Sequence, residues 1–316
     1  MSAMAVGKRP PEATPSDAGP EAPAQQRDLA RGLENLPVSV WPPGAEPEPF
    51  QYSPDHVAGP GTLTDPAQIT FPGCRCLHMP CGPKTCSCLH GGVDNYNSDQ
   101  CLQALETATT AWSTPVFECN ALCPCAEDCR NRVVQRGPWA HLQVFKTQLK
   151  GWGLRTLEPI PRGRFVCEYA GEVLGVSEAQ HRMQTQSPGS CNYILAVREH
   201  VQGGQVLETF VDPTRVGNMG RFLNHSCEPN LVMVPVRVDS MVPRLALFAA
   251  RDILPEEELS YDYSGRFLNQ WKQEGPEPQQ EGLLLRRPCY CGAPSCATVL
   301  PYDDSLCRPS REPPNT

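Results

Sequence analysis

Nine cysteines fall in one apolar-poor stretch, and that stretch limits what the chain can fold into. From Cys74 the spacing is C-x-C-x4-C-x4-C-x-C; after a gap it is C-x3-C-x-C-x3-C. The positions are Cys74, Cys76, Cys81, Cys86 and Cys88, then Cys119, Cys123, Cys125 and Cys129. So few apolar residues lie between 74 and 129 that a metal must do there what a core does elsewhere. Tetrahedral zinc takes four thiolates, and nine is not a multiple of four. Three zinc ions need twelve ligand contacts, which nine thiolates supply if three of them bridge. Such a cluster carries a formal charge of about −3, offset in part by Lys84, Arg130 and Arg132. Two separate four-thiolate sites would leave one cysteine over. A redox site would need C-x-x-C, which the block lacks. Cys101 lies in the gap, outside this ligand set.

A second cluster, Cys289, Cys291 and Cys296, has three thiolates and leaves a zinc one ligand short. Cys227 stands far from any local knuckle, in RFLNHSCEPN (221–230). It is expected to close the second site from upstream and so to fasten the C-terminal segment over Asn224 and His225. The competing reading makes Cys227 a small buried hydrophobe. On the first reading the chain holds four structural zinc ions, three in the first block and one in the second. Cys101, Cys167, Cys191 and Cys307 remain as structural or surface thiols.

The totals agree with metal. Seventeen cysteines, an odd number, in a chain without an apolar leader fit a disulfide framework poorly. No run of 18 apolar residues exists, so no membrane span is expected. The formal net charge of −8 counts against wholesale DNA binding and suits a Lys/Arg-rich peptide as partner. Asn224-His225-Ser226 is formally a glycosylation sequon, without meaning in an intracellular protein.

Residues 1–60 carry twelve prolines and are expected to be largely disordered, with LPVSVWPPG docking locally through Trp41. Residues 70–135 form the cysteine domain. Residues 138–265 read as β-rich, with strands in FVCEYAGEV, NYILAV, QVLETFVD, LVMVPVRV and RLALFAARDI. A helix is expected after Ser177, capped by the Ser177/Gln180 box. A polar linker (269–284), the second cysteine site (285–301) and a flexible tail (302–316) complete the chain. The fold class is mainly β with few short helices.

Four elements stand in order between the cysteine blocks: GWGLR (151–155), NYI (192–194), RFLNHSCEPN and ELSYDYSG (258–265). With both blocks, residues 70–301 resemble the SET-domain protein lysine methyltransferases that carry pre-SET and post-SET segments. The resemblance implies small β-sheets with a knot-like C-terminal crossing, a trinuclear pre-SET zinc cluster and a post-SET zinc. It also implies S-adenosylmethionine as cosubstrate, bent into a surface notch. That agrees with the missing GxGxxG of nucleotide-fold methyltransferases. The substrate peptide would enter from the opposite side and pair as an added strand. A histone H3 tail or nucleosome is the implied substrate, with lysine 36 as target and mono- or dimethylation as outcome. A nuclear, chromosomal monomer without sequence-specific DNA binding is expected.

By position, Tyr263 matches the family's catalytic tyrosine and Tyr261 the residue that controls product number. Gly151, Trp152, Gly153, Tyr193, Arg221, Asn224 and His225 match cofactor contacts. The chemistry suits these residue types. Only about one lysine in a thousand is neutral at pH 7.4, so deprotonation costs about 4 kcal/mol unless the site lowers the pKa. A dry, tyrosine-lined channel beside a sulfonium does so through desolvation and like charge. Tyrosine accepts from the amine without adding a full negative charge. Glu256, Glu257 and Glu258 read as a solvated face, or as a greeting for a basic peptide. A catalytically silent chromatin-binding module and a zinc-finger nucleic-acid binder are the competing functions. The intact Asn224, His225 and Tyr263 count against the first, and the absent C-x2–4-C…H-x3–5-H spacing against the second.

Overall fold

The computed structural model describes residues 27–76, 81–90, 92–105, 115–187, 192–200, 205–264 and 287–301. The linker expected at 269–284, the tail at 302–316, Cys191 and Cys307 lie outside the described residues. Among these residues the chain is mainly β, in three small sheets with one α-helix.

The central layer is the sheet β4 (Val116–Phe117), β12 (Leu231–Arg237), β13 (Arg244–Ala249), β7 (Phe165–Glu168). Its strands are apolar on both faces, as a doubly covered sheet demands. Val232, Val234 and Val236 join Ala246, Phe248 and Phe165 in one core. Leu231, Leu245, Leu247, Ala249, Val166 and Cys167 point into the other. That second core is shared with the remaining sheets. One runs β1 (Ser39–Trp41), β5 (Leu142–Lys146), β6 (Trp152–Thr156), β14 (Glu258–Tyr261), β11 (Asn224–His225). The other runs β2 (Gln51–Tyr52), β10 (Val206–Gly217), β8 (Gly171–Leu174), β3 (Val57–Ala58), with β9 (Leu195–His200) also on β10.

Residues 27–60 depart from the expected disorder. Asp28 ties a turn by accepting from the amides of Ala30, Gly32 and Val38. Ala30, Val38 and Val40 are then buried in the main core. β1, β2 and β3 add in parallel to β5, β10 and β8. The segment has no core of its own; it gains burial by covering sheet edges that would otherwise be open. Trp41 is not its anchor, being 48% exposed.

The helix α1 (Val176–Thr185) starts earlier than the Ser177/Gln180 box predicts, with Gly175 as N-cap and no side-chain cap. Gly175 donates its N–H to the Pro60 carbonyl, and its own carbonyl accepts from Ala179. A Cβ there would lie 2.2 Å from the Gly61 oxygen, so this close crossing requires glycine. Arg182 pins α1 to its sheet through Glu172 and Asp212, both at 2.8 Å.

Around its sulfurs the cysteine domain has almost no ordinary core among the described residues, while Tyr96, Leu102, Leu105 and Val116 pack into the core of the central sheet. Its buried cluster is eight cysteines and Leu89, with Cys125 alongside.

Candidate active site and metal centres

Within the cysteine domain, three groups of four sulfurs lie close enough to hold an ion. They are Cys74, Cys81, Cys86 and Cys119; Cys74, Cys88, Cys119 and Cys123; and Cys81, Cys119, Cys125 and Cys129. Sulfur separations of 3.7 Å for Cys88–Cys123 and Cys119–Cys81, and 3.9 Å for Cys74–Cys81, suit zinc. Four bonds of about 2.3 Å at tetrahedral angles put sulfurs about 3.8 Å apart. Cys74, Cys81 and Cys119 recur between groups, as bridging thiolates would. N–H donors ring the sulfurs. Cys74 and Asn120 amides donate to Cys123, the Asn131 amide to Cys129, and Arg132 to Cys125 at 3.5 Å. Burial pushes the Cys81 thiol up, so an ion is needed to hold it as thiolate. Of the expected counter-charges Arg132 reaches the sulfurs, Arg130 faces Asp94 at 3.9 Å, and Lys84 is exposed. Cys76 lies in the same buried cluster but in none of the three groups, and Cys101 is outside it.

The fourth group is Cys227 with Cys289, Cys291 and Cys296. The four sulfurs all lie within 4.8 Å of one another, although Cys227 is far upstream. Amides of Ala297 and Thr298 donate to Cys227 and Cys296. Glu228 clasps the same knuckle, accepting from the amide and the hydroxyl of Ser295 at 3.1 and 2.7 Å. Cys227 is half-buried among sulfurs rather than packed among apolar side chains.

Beside this group the chain crosses itself. β11 pairs in parallel with β14, which sets Asn224 opposite Ser260 and His225 opposite Tyr261. Asn224 donates from Nδ2 to the Trp152 carbonyl at 3.0 Å and to Glu258 at 2.9 Å. Both amide hydrogens are thus committed, and Oδ1 is left to accept. Glu258 also takes Lys150 at 2.6 Å. It belongs to the site and not to a solvated face. Glu257 accepts from Asn230 and Arg251, and Glu256 pairs with Arg155, so the acidic run is divided among three tasks. The two glycines of GWG differ in purpose. Gly151 has φ +75°, which closes the β5–β6 turn. A Cβ on Gly153 would sit 3.1 Å from Glu258 and 2.9 Å from Thr147. A cavity of about 260 Å³ opens between this loop and the four sulfurs, lined by Lys150, Ser226, Glu228, Glu258, Cys291 and Gly292.

Three tyrosines stand in a row. Tyr261 lies 4.8 Å from Tyr263 and 6.1 Å from Tyr169, ring centre to ring centre. Tyr263 donates its hydroxyl to the Leu223 carbonyl at 2.7 Å, and Tyr169 to the Tyr193 carbonyl at 2.5 Å. Tyr261 hydrogen-bonds Tyr169. Burial and the neighbouring hydroxyls hold Tyr169 and Tyr261 well above the usual tyrosine range, so both stay neutral. Tyr169 is the residue that sequence reasoning missed. It sits between β7 and β8 in CEYAGE, only 4% exposed.

Arg221 is buried, with its guanidinium 4.3 Å above Phe50 and 4.8 Å above Tyr193. Among the described residues its Nε and Nη1 are buried without a hydrogen-bond partner. An orphaned cation beside neutral tyrosines fits a zwitterionic ligand carrying a carboxylate.

Residues 151–264 match the SET domain family and residues 30–132 the Pre-SET motif. The fold and site therefore define a SET-domain protein with a pre-SET domain. The histone-lysine N-methyltransferase SETMAR of Bos taurus is 68% identical over 294 residues, which cover 93% of this chain and 95% of that protein. The crystal structure of the human SETMAR methyltransferase domain superposes with TM-score 0.78 at 61% identity, covering 88% of this chain and 99% of that one. KRYPTONITE, in complex with mCHH DNA, H3(1–15) peptide and SAH, superposes with TM-score 0.64 at 30% identity, covering 92% of this chain and 56% of that one. The chain belongs to the SETMAR family of SET-domain histone-lysine N-methyltransferases.

Proposed function

We propose that this chain methylates a lysine of the histone H3 tail, with S-adenosylmethionine as cosubstrate, in the nucleus on chromatin. Lysine 36 is the proposed target and mono- or dimethyl-lysine the product. The observation that carries the reading is the row Tyr169, Tyr261, Tyr263 set against Asn224 and His225. All three hydroxyl hydrogens are directed to protein acceptors or to one another. The oxygens therefore face an incoming amine as neutral acceptors, which orient its N–H groups without stabilising the ammonium as a carboxylate would. S-adenosylmethionine supplies an electrophilic methyl group on a sulfonium. Arg221 would hold its carboxylate, Asn224 Oδ1 would accept from it, and the Gly151–Gly153 backbone would flank it.

The zinc assignment is proposed on the same footing. Cys74, Cys81 and Cys119 would be shared between ions, so that each ion would have two shared and two unshared thiolates. Cys76 and Cys86 would hold one ion, Cys88 and Cys123 another, and Cys125 and Cys129 the third. Nine thiolates then give twelve contacts with none left over. Cys227, Cys289, Cys291 and Cys296 hold the fourth ion.

The test incubates the protein with labelled S-adenosylmethionine and nucleosomes, beside Tyr263→Phe and Asn224→Ala. Label on H3 with wild type alone, lost when lysine 36 is replaced, is the expected result. Nucleosome binding without label would make the chain a silent module. Label that survives replacement of lysine 36 would overturn the target.

A further inference from the structure

His225 stands between the two halves of the site in a way that the zinc set and the tyrosine row do not explain by themselves. Its ring is buried, only 4% exposed, with a nitrogen aimed at each half. On one side the amide of Tyr263 donates to Nδ1 at 3.2 Å. On the other, Nε2 lies 3.3 Å from the Cys227 sulfur. The Tyr263 ring packs on the imidazole, with centres 5.4 Å apart.

A backbone N–H can only donate, so Nδ1 must be the acceptor. The ring proton of the neutral imidazole then lies on Nε2 and points to sulfur. The nearest alternative, an Nδ1–H directed to Asp262, spans 3.7 Å and would strip the Tyr263 amide of its acceptor. A thiolate sulfur that accepts an N–H is better held than one that does not, and such outer partners orient metal ligands.

We propose that His225 is a positioning residue that couples the Cys227 thiolate to the backbone of Tyr263, so that closing the four-sulfur site also sets the catalytic tyrosine. The proposal rests on the assignment of Tyr263 and of the fourth zinc given above. On this view the ion acts on both halves of the reaction. It completes the cofactor side directly, and it fixes the tyrosine side through one imidazole. Tyr263 is then held at both ends, by its amide on His225 and by its hydroxyl on Leu223.

Two measurements on the full, zinc-loaded chain test this without reading turnover. The first is the histidine-labelled nitrogen–proton spectrum. His225 should be the neutral tautomer protonated on Nε2; a proton on Nδ1 overturns the proposal. The second is amide hydrogen exchange in Cys291→Ser, which removes another of the four ligands and leaves His225 itself unchanged. Exchange at Tyr263 should quicken by about tenfold or more once that ion is lost, while Leu247 in β13 stays protected. Unchanged protection at Tyr263 in a protein shown to lack the ion overturns the coupling.

Two conservative replacements separate coupling from mere packing. In His225→Asn the side-chain oxygen stands near the place of Nδ1; in His225→Gln the side-chain nitrogen stands near that of Nε2. The Asn variant should keep Tyr263 protected and release the fourth zinc to a chelator about tenfold faster. The Gln variant should retain zinc and lose protection at Tyr263, with kcat falling more than cofactor KM rises. Equal loss of both properties in both variants makes His225 a packing residue and overturns the proposal. A wild type that transfers no methyl group would sink the functional reading alone, since tautomer and exchange would still stand.

Discussion

Removing a bridging thiolate should cost two metal ions, where removing a terminal one costs a single ion. Cys119 is the sharpest case, because it belongs to all three sulfur groups of the cysteine domain. In the proposed assignment Cys119→Ala leaves two ions with three sulfurs each, whereas Cys125→Ala leaves one. Structural zinc contributes about 10–16 kcal/mol per ion in small zinc peptides. Stability of a whole domain is only about 5–15 kcal/mol. Among the described residues the buried cluster around these sulfurs offers only Leu89 besides cysteine, so little apolar burial there can replace the lost ions. Cys119→Ala should therefore unfold the segments that carry the sulfurs, around Cys81–Cys88 and Cys119–Cys129, and Cys125→Ala should loosen them locally. The assay is zinc per chain by plasma mass spectrometry after gel filtration, with limited proteolysis of the same samples. Wild type should hold about four ions, Cys125→Ala about three and Cys119→Ala about two or fewer. Equal loss from the two variants would refute bridging by Cys119 and with it the closed count of nine thiolates.

Tyr261→Phe should raise the methylation state, because one acceptor that restrains the amine is lost; mass spectrometry of the H3 product reads it, and abundant trimethyl-lysine from wild type would refute the role. The buried His56 and the half-buried Glu34 should give opposite pH profiles. Burial lowers His56 from 6.5 to about 4, so its contribution to stability is lost as pH falls from 6.5 through 4. Burial raises Glu34 from 4.5 to about 7, so its contribution is lost as pH rises from 4.5 through 7. From about pH 4.5 to 6.5 these two slopes oppose each other. In urea titrations His56→Asn should lose stability with rising pH in that window and Glu34→Gln should gain it; slopes of the same sign would refute the assignment. Val40→Ala should cost about 2 kcal/mol in the same titrations, and a loss below about 0.5 kcal/mol would show that residues 27–60 do not share the main core.

Much of this architecture was legible because its signals are local. The cysteine spacings carried the metal centres, and the runs FVCE, LVMVPVR and RLALFA became β7, β12 and β13. What escaped is what depends on distant surfaces. Ala30, Val38 and Val40 look isolated in a proline-rich stretch, and their burial is provided by edges that belong to β5, β8 and β10. Gly175 displaced Ser177 as helix cap for a similar reason, since only the close passage of Gly61 requires it. Tyr169 had no spacing signal, because a tyrosine between two apolar strands reads as packing. Glu258 was hidden in an acidic run. Only the register of β14 against β6 and the space left by Gly153 turn that carboxylate toward Asn224.

The short strand that carries Asn224 and His225 also shows why the site needs support from both sides. Two residues of β11 cannot hold a register alone, and a slip by one would exchange the faces of Asn224 and His225. Asn230 prevents the slip. It is 2% exposed and spends its whole amide across the crossing: Oδ1 accepts from the Ser260 amide at 2.9 Å, and Nδ2 donates to the Glu258 carbonyl at 2.8 Å and to Glu257 at 2.9 Å. Its own carbonyl accepts from Ala250, which ties the loop back to the end of β13. Cys227, between Asn224 and Asn230, fastens the same loop to the terminal sulfurs. The loop is thus held by a satisfied buried amide at one point and, on the proposed zinc assignment, by metal at another.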